Sequence, residues 1–321
     1  MVISASRRTD IPAFYGDWFF NRLRDGYVLV RNPMRFHQVS HIPLNPDAVD
    51  FLVFWTKNPA PFLPRLDLLA DYDYGFQYTI TGYGRRIEPG VPSRDESVET
   101  FRSLSTRIGP QRMIWRYDPI LLHPDWPVQA HLENFRKLAE ALAGFTHRCV
   151  ISFVDVYPSG AKALAKADVL TAGPEAVAEL APYLSETAAC FGMTVEACAE
   201  GQDLSKFGIR AGHCIDPSLT GVPSRGKDRN QRESCGCQPS VDIGAYHSCA
   251  HRCVYCYANH GEARLKANLK LHDPSSPLLI GHLMPDDKVT RRKVTPGKVT
   301  CRNVTRRKVT PGDAAPGNVT P

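Results

Sequence analysis

The chain has 321 residues and 43% of them are hydrophobic, a normal share for a protein that buries a core. It lacks any apolar run of about eighteen residues and meets charge soon after its N-terminal Met. We therefore expect a cytoplasmic protein without a membrane span or signal peptide. Residues 288–321 hold nine Lys or Arg and one acid, a net charge of +8. Since the whole chain carries +6, the other residues together carry −2. That near-neutral body does not support nucleic-acid binding.

Over residues 1–200, short apolar runs alternate with amphipathic stretches. Strands are expected at 2–6, 27–30, 50–55, 75–81, 112–118, 148–156 and 193–200, and helices near 13–25, 61–70, 95–108, 128–143 and 174–190. Continuous apolar runs are typical of strands buried on both faces of a parallel sheet. The alternation predicts an α/β fold, either a (β/α) barrel or an open doubly wound sheet. Six or more βα units in series, without a GxGxxG or Walker pattern, favour the (β/α) barrel or a partial TIM-like barrel.

Polar side chains cluster where these strands are expected to end. They are Arg7, Arg8, Asp10, Lys57, Asn58, Thr79, Thr81, Arg116, Asp118, Asp155, Glu196 and Glu200. The carboxyl ends of barrel strands share one mouth, where the chemistry of such enzymes occurs. We expect catalytic roles for Asp10, Arg116 and Asp118, and cofactor or anion binding by Arg7, Arg8, Lys57 and Glu196. The competing interpretation is helix capping and ion pairing at the surface.

Cysteines dominate the rest of the chain. A long loop region at 201–247 includes, near its end, a strand-like "VDIGAY" (241–246). The spacing C-x3-C-x2-C at Cys249, Cys253 and Cys256 and a helix at 257–272 come next. Three clustered thiolates suit an iron–sulfur cubane with one open iron; a zinc site and a C-x-x-C redox pair are the alternatives. A second site, for another cluster or zinc, is expected from Cys198, Cys214, Cys235 and Cys237.

The segment "CAHRCVYCYAN" (249–259) resembles the cysteine loop of radical S-adenosylmethionine (SAM) enzymes. Residues 1–285 also resemble an uncharacterised bacterial family of radical-SAM-like proteins, through "ISASRRTDIPAFYG", "VFWTKNP", "RYDPIL", "CVISFVD", "CGC" and the cysteine motif. The resemblance implies a [4Fe–4S] cluster on Cys249, Cys253 and Cys256, with SAM on the fourth iron and Tyr255 beside its adenine. It also implies an electron donor such as a flavodoxin or ferredoxin.

Two features depart from the usual radical SAM pattern. The cysteine loop follows the last expected strand instead of the first, which predicts a permuted barrel in which "VDIGAY" lies beside "VISAS". The Gly-Gly-Glu that grips the methionine amino group is missing, and its replacement is expected from "SRRTD" or another strand end.

The expected organisation is one domain at 1–285, with 201–256 as its cysteine-rich loop and cluster motif, followed by a basic tail at 286–321. The tail repeats with a five-residue period and has no apolar periodicity, so we expect it to be disordered.

Three functional hypotheses follow. The first is a radical SAM-type enzyme that forms a 5′-deoxyadenosyl radical and acts on an unknown substrate. The second is a non-catalytic protein in which zinc or an iron–sulfur cluster is structural. The third, nucleic-acid modification, has no support from the charge of the body.

Overall fold

A computed structural model describes residues 1–157, 160–224, 226–259 and 261–292. The strands are β1 (Val2–Ala5), β2 (Tyr27–Arg31), β3 (Gln38–Pro43), β4 (Phe51–Thr56), β5 (Tyr74–Thr79), β6 (Met113–Ile120), β7 (Arg148–Phe153), β8 (Thr194–Cys198), β9 (Arg210–Gly212), β10 (Val241–Asp242) and β11 (Lys288–Arg291). The α-helices are α1 (Ile11–Phe14), α2 (Gly16–Asp25), α3 (Arg94–Ile108), α4 (Val128–Leu142), α5 (Ala161–Lys166), α6 (Pro174–Cys190), α7 (Pro217–Thr220) and α8 (Glu262–Lys270).

Eight strands form one parallel sheet in the order β10-β1-β4-β5-β6-β7-β8-β9. The prediction of an α/β fold with a parallel sheet is confirmed, but the prediction of a barrel is wrong. Within the described residues the edge strands β10 and β9 do not pair, so the sheet stays open. Strand β10 has only two residues and β9 only three. Closing a sheet into a barrel requires tilted strands that are long enough to pair in a staggered register.

The edge strand β10 pairs in parallel with β1, so that Ile3 lies opposite Val241 and Ser4 opposite Asp242. This confirms the expected neighbourhood of "VDIGAY" and "VISAS". The cysteine loop consequently leaves the sheet at the same end as the loops that follow β1 and β4. The last segment of the chain thus completes the edge next to its first strand.

A second sheet, in the order β11-β3-β2, lies outside the main one. The strand expected at 27–30 belongs to this sheet, because β2 pairs antiparallel with β3. Strand β11 pairs in parallel with β3, and Arg31 forms an ion pair with Asp287 at 2.6 Å. Residues 286–292 are therefore part of the fold, contrary to the expected start of a disordered tail at 286; residues 293–321 lie outside the described residues.

Two helix predictions need correction. Ala60–Leu69 is a 3-10 helix, because Pro61 and Pro64 lack the N–H that an α-helix needs. The helix expected at 13–25 is two helices, α1 and α2, which meet at Tyr15. Within the described part of the chain, no helix is both long and apolar enough to cross a membrane.

The two faces of the main sheet are covered differently. One face carries Phe54, Phe76 and Trp115, which belong to the large core packed with helices. The other face carries Val53 and other small aliphatic residues, and it packs with Cys214, Cys235, Cys237, Ile215 and Leu219. The cysteine-bearing loop therefore supplies the apolar cover that a second helical layer would otherwise provide.

A buried histidine links α4 to the sheet. His131 lies within hydrogen-bond distance of the Tyr117 hydroxyl (Nδ1, 2.8 Å) and the Leu121 carbonyl (Nε2, 2.7 Å). The Leu121 carbonyl can only accept, so Nε2 donates and a neutral ring accepts from Tyr117. Burial lowers the pKa of His131 from 6.5 to about 4.

This depressed pKa predicts a loss of stability in acid. The unfolded chain takes up a proton near pH 6.5 while the folded chain does not until about pH 4, so stability is lost as the pH falls through that window. Between pH 7 and pH 4.5, the free energy of unfolding of wild type, measured with denaturant, is expected to fall by about 2 kcal/mol more than that of His131→Gln. Exposed His147→Gln is the control, and an equal pH slope in all three proteins contradicts the expectation.

Candidate functional site

The cysteine loop holds three thiols, those of Cys249, Cys253 and Cys256, which we call the loop thiols. Burial raises the pKa of each one. The charges of Cys249 and Cys256 raise the pKa of Cys253 further. The positive charge of Lys57 acts in the opposite direction, to lower the pKa of Cys253 and Cys256. The site thus offers three half-buried thiols beside one cation.

Backbone hydrogen bonds hold this loop against the body. Val254 N–H donates to the Ile87 carbonyl at 3.0 Å, and Gly90 N–H donates to the His251 carbonyl at 3.0 Å. A Cβ atom on Gly90 would lie 2.7 Å from the Ala250 carbonyl oxygen, so only glycine permits this approach. The loop is therefore docked on the 80–90 segment that follows β5.

Asp10 is a hub between three segments. Its Oδ1 accepts from Ala13 N–H at 3.0 Å and caps α1, while Oδ2 accepts from Lys57 N–H at 2.6 Å. His251 Nε2 in the cysteine loop contacts the same Oδ2 at 2.8 Å. The predicted catalytic Asp10 thus has its hydrogen-bonding capacity engaged in positioning the loop and the end of β4.

Glu88 was missed by the sequence reasoning. This carboxylate is 3% exposed and lies 2.8 Å from Lys57 Nζ. It also accepts hydrogen bonds from Thr81 at 2.9 Å and from the Tyr255 hydroxyl. It lies beyond the strand expected at 75–81, in a segment without periodicity. A lone acid in the "TGYGRRIEP" segment was the only sequence signal.

Arg116 and Asp118 lie near the end of β6. Arg116 is 5% exposed and contacts Asp118 Oδ2 through Nη2 at 2.7 Å. Its Nη1 lies 3.0 Å from the sulfur of Cys214, and Ser152 donates to Asp118. The expected pair of Arg116 and Asp118 is thus present, and it lies beside Cys214.

The remaining predicted cofactor residues divide into two groups. Arg7 and Arg8 follow β1, where Arg7 packs over Trp55 at 4.7 Å and Arg8 over Tyr246 at 5.0 Å. Glu196 lies instead in an ion pair with Arg148 at 2.7 Å, which also binds Asp216 at 2.9 Å. Glu196 is therefore committed to the ion pairs between β7, β8 and the loop before α7.

The second cysteine set converges as well, and we call it the four-thiol cluster: Cys198, Cys214, Cys235 and Cys237. The sulfurs of Cys198 and Cys214 lie 3.3 Å apart. Hydrogen bonds from Cys198 and Cys237, followed by Arg116, lower the pKa of Cys214 well below its ordinary value. A hydrogen bond with Cys237 lowers the pKa of Cys235 to about 6.

Among the residues that the structure describes, no three His, Cys, Asp or Glu side chains stand in an arrangement that could hold a metal ion as they are placed. The chemistry of the donor set nonetheless fits an iron–sulfur cluster at the loop thiols. Three half-buried thiols within eight residues of one loop, beside Lys57, are the ligands such a cluster uses.

Comparison with known proteins identifies the family. The profile described as "Domain of unknown function (DUF1848)" matches residues 2–258, and the chain belongs to this family. No curated protein matches significantly. One crystal structure, of a Bacteroides thetaiotaomicron protein named as an alpha-L-fucosidase, has 11% sequence identity to this chain. The match covers 70% of this chain and 83% of the other. Its TM-score is 0.26, too low to support any inference.

The hub role of Asp10 predicts a large stability effect. Asp10→Ala removes the α1 cap and leaves the Lys57 N–H and His251 Nε2 without their acceptor, so we expect the free energy of unfolding to fall by about 2–4 kcal/mol. Asp17→Ala, which removes only an exposed ion pair with Arg65, should cost below about 1 kcal/mol. Urea unfolding measures both; equal losses contradict the hub role.

Proposed function

We propose that this chain is an iron–sulfur enzyme of the radical SAM type that acts on a substrate still to be identified. The observation that carries the proposal is the C-x3-C-x2-C loop, which presents three half-buried thiols beside Lys57, at the edge of the sheet where β1 and β4 end. Carboxyl ends of parallel strands are where α/β enzymes bind their ligands.

In this proposal, Cys249, Cys253 and Cys256 ligate three irons of a [4Fe–4S] cluster and leave one iron open. A cluster held there would supply, with bound SAM and one electron from an external reductant, the chemistry that forms a 5′-deoxyadenosyl radical for hydrogen abstraction. The chain's own task is to bind, orient and shield these groups. A reductant such as a flavodoxin or ferredoxin is the implied partner.

Lys57 and Glu88 are the residues we assign to the methionine end of SAM. The ammonium of Lys57 suits a carboxylate, and the carboxylate of Glu88 suits an ammonium. The two groups already pair at 2.8 Å with little exposure to water, and each acts electrostatically on Cys253. Glu88 therefore takes the place of the acid in the missing Gly-Gly-Glu motif.

Tyr255 is assigned to the adenine side. It stands between Cys253 and Cys256, half-buried, with its hydroxyl on Glu88 and with Lys57 Nζ 5.6 Å from its ring centre. Its aromatic face can pack on a base while its hydroxyl keeps Glu88 oriented. Arg7 and Arg8, after β1, remain the candidates for an anionic substrate.

A second candidate function is a structural metal at the loop thiols. The observation that favours it is the number of contacts between the cysteine loop and the body, through Asp10, Ile87 and Gly90. A metal at this position would hold the C-terminal segment on the sheet without any turnover.

The first prediction for this site concerns the cofactor. After anaerobic reconstitution with iron and sulfide, wild type should bind iron and sulfide, and reduction in the presence of SAM should yield 5′-deoxyadenosine, measured by mass spectrometry. Cys253→Ser should lose both signals, while Cys190→Ser, on the exposed end of α6, should keep both. An intact cluster without 5′-deoxyadenosine overturns the enzyme proposal. Zinc in place of iron after anaerobic purification, in an amount that Cys253→Ser loses, supports the structural alternative.

The second prediction concerns Glu88. Glu88→Gln removes the negative charge but keeps the shape, so iron content should be unchanged while 5′-deoxyadenosine formation falls about tenfold or more. Glu99→Gln, on an exposed position of α3, should leave formation unchanged. If Glu88→Gln forms 5′-deoxyadenosine as fast as Glu99→Gln, Glu88 does not hold SAM.

A further inference from the structure

The four-thiol cluster brings together cysteines from distant parts of the sequence. Cys198 ends β8, Cys214 follows β9, and Cys235 and Cys237 lie in the long loop after α7. The sulfur of Cys214 lies 3.3 Å from that of Cys198, and Cys214 shares one buried apolar cluster with Cys235 and Cys237, against which Cys198 packs. None of the four forms a disulfide. Four free thiols thus meet around Cys214.

Independent backbone bonds place each segment of this cluster. Cys198 pairs with Gly212 across β8 and β9. The Cys214 carbonyl accepts from the Gln77 side chain at 2.6 Å, and the Cys237 carbonyl accepts from Asp228 N–H at 2.8 Å. Since these bonds do not involve the sulfurs, the convergence of the thiols is built into the fold and does not result from collapse of one loop.

The glycine in Cys-Gly-Cys lies close to the segment that carries Cys214. A Cβ atom on Gly236 would lie 2.5 Å from the ring of exposed His213, so a larger residue would displace that ring. His213 immediately precedes Cys214. Gly236 therefore allows the Cys235–Cys237 pair to approach Cys214 closely.

Two arginines make this pocket suitable for negative charge. Arg116 directs Nη1 to the Cys214 sulfur at 3.0 Å. The guanidinium of Arg7 acts electrostatically on Cys214 and Cys237, and its buried Nη2 has no hydrogen-bond partner in the described part of the chain. Both guanidiniums pack over Trp55, at 4.7 and 5.1 Å. A buried cation with an unused donor indicates that an anionic group belongs beside it.

We propose that the four-thiol cluster is a second metal site, which binds a single tetrahedral thiophilic ion of the zinc class. Four cysteines are the most common ligands of structural zinc. A four-thiolate zinc centre carries two negative charges, which the neighbouring guanidiniums of Arg7 and Arg116 offset.

The spacing of the sulfurs distinguishes one ion from a cluster. Ligands of a tetrahedral zinc with Zn–S bonds of about 2.3 Å lie about 3.8 Å apart. The contact of 3.3 Å between Cys198 and Cys214 is slightly shorter, so this pair must separate by about half an ångström to admit the ion. Cys235 and Cys237 must also turn their sulfurs toward it, because no three donors in the described residues are placed as metal ligands. A cubane would require them to spread much further, into the packed residues Ile215 and Leu219.

This second site has a separate role from the loop thiols. The strongest charges acting on the loop thiols come from Asp10, Lys57, Glu88 and one another, whereas Arg116 and Arg7 act on the four-thiol cluster. The bound ion would pin the 199–240 loop onto the second face of the sheet. It would therefore replace the missing helical layer by a metal cross-link.

The test uses the full chain with Cys249, Cys253 and Cys256 all changed to Ala, which leaves the four-thiol cluster together with Cys149, Cys190 and Cys301. Purified after growth with added Zn²⁺, this variant should retain about one zinc per chain by elemental analysis. Replacing zinc with Co²⁺ should give the strong sulfur-to-cobalt charge-transfer absorption of a tetrahedral thiolate site.

Matched single substitutions in the wild-type background locate the ion. Cys237→Ser should lose most of the zinc and lower the unfolding temperature, whereas Cys190→Ser should retain both. Because the cobalt spectrum is recorded on a protein with all four thiols intact, the test does not depend on whether Cys237→Ser folds.

Three results would overturn this proposal. They are the absence of both zinc and a cobalt–thiolate band from the loop-thiol variant, iron with sulfide in place of zinc at the four thiols, and a Cys198–Cys214 disulfide in metal-free protein. None of these results bears on 5′-deoxyadenosine formation, so the two sites are tested separately.

Discussion

The carboxylate of Asp242 secures the contact on which the rest of the site depends. It accepts hydrogen bonds from the Ser4 and Ser6 hydroxyls at 3.0 and 2.7 Å and from Arg7 N–H at 2.8 Å, while Gly244 N–H closes the turn at 3.0 Å. These bonds supplement the short pairing of β10 with β1. Because β10 has only two residues, its ladder alone would be weak, and the side-chain bonds stabilise this edge.

The cysteine loop that follows β10 starts from this edge. The loop thiols leave the sheet beside Asp10 and Lys57, so His251 can reach Asp10 and Tyr255 can reach Glu88. On the other face of the sheet, Arg116 joins Asp118 to Cys214. One parallel sheet therefore supports two cysteine groups, each with its own buried cation, and each cation offsets the cost of placing thiolate charge in the interior.

Part of this arrangement could be predicted from local sequence patterns. The apolar runs at 50–55, 112–118 and 148–156 became β4, β6 and β7, because a strand buried on both faces must be continuously apolar. Asp10 and Lys57 were expected at strand ends and lie there. Glu88 could not be found this way, since it lies in an irregular segment whose position depends on its contacts with Lys57, Thr81 and Tyr255.

The neighbourhood of "VDIGAY" and "VISAS" was expected from the resemblance to radical SAM enzymes. The sequence by itself determined the parallel α/β class and the grouping of the loop thiols within eight residues. Those features depend on short-range periodicity and spacing, which the chain carries wherever it folds. Only the tertiary structure decided that the sheet stays open, that Glu196 binds Arg148, and that four cysteines from β8, β9 and a long loop meet. These outcomes depend on strand lengths and on contacts between residues far apart in sequence, which no local pattern records.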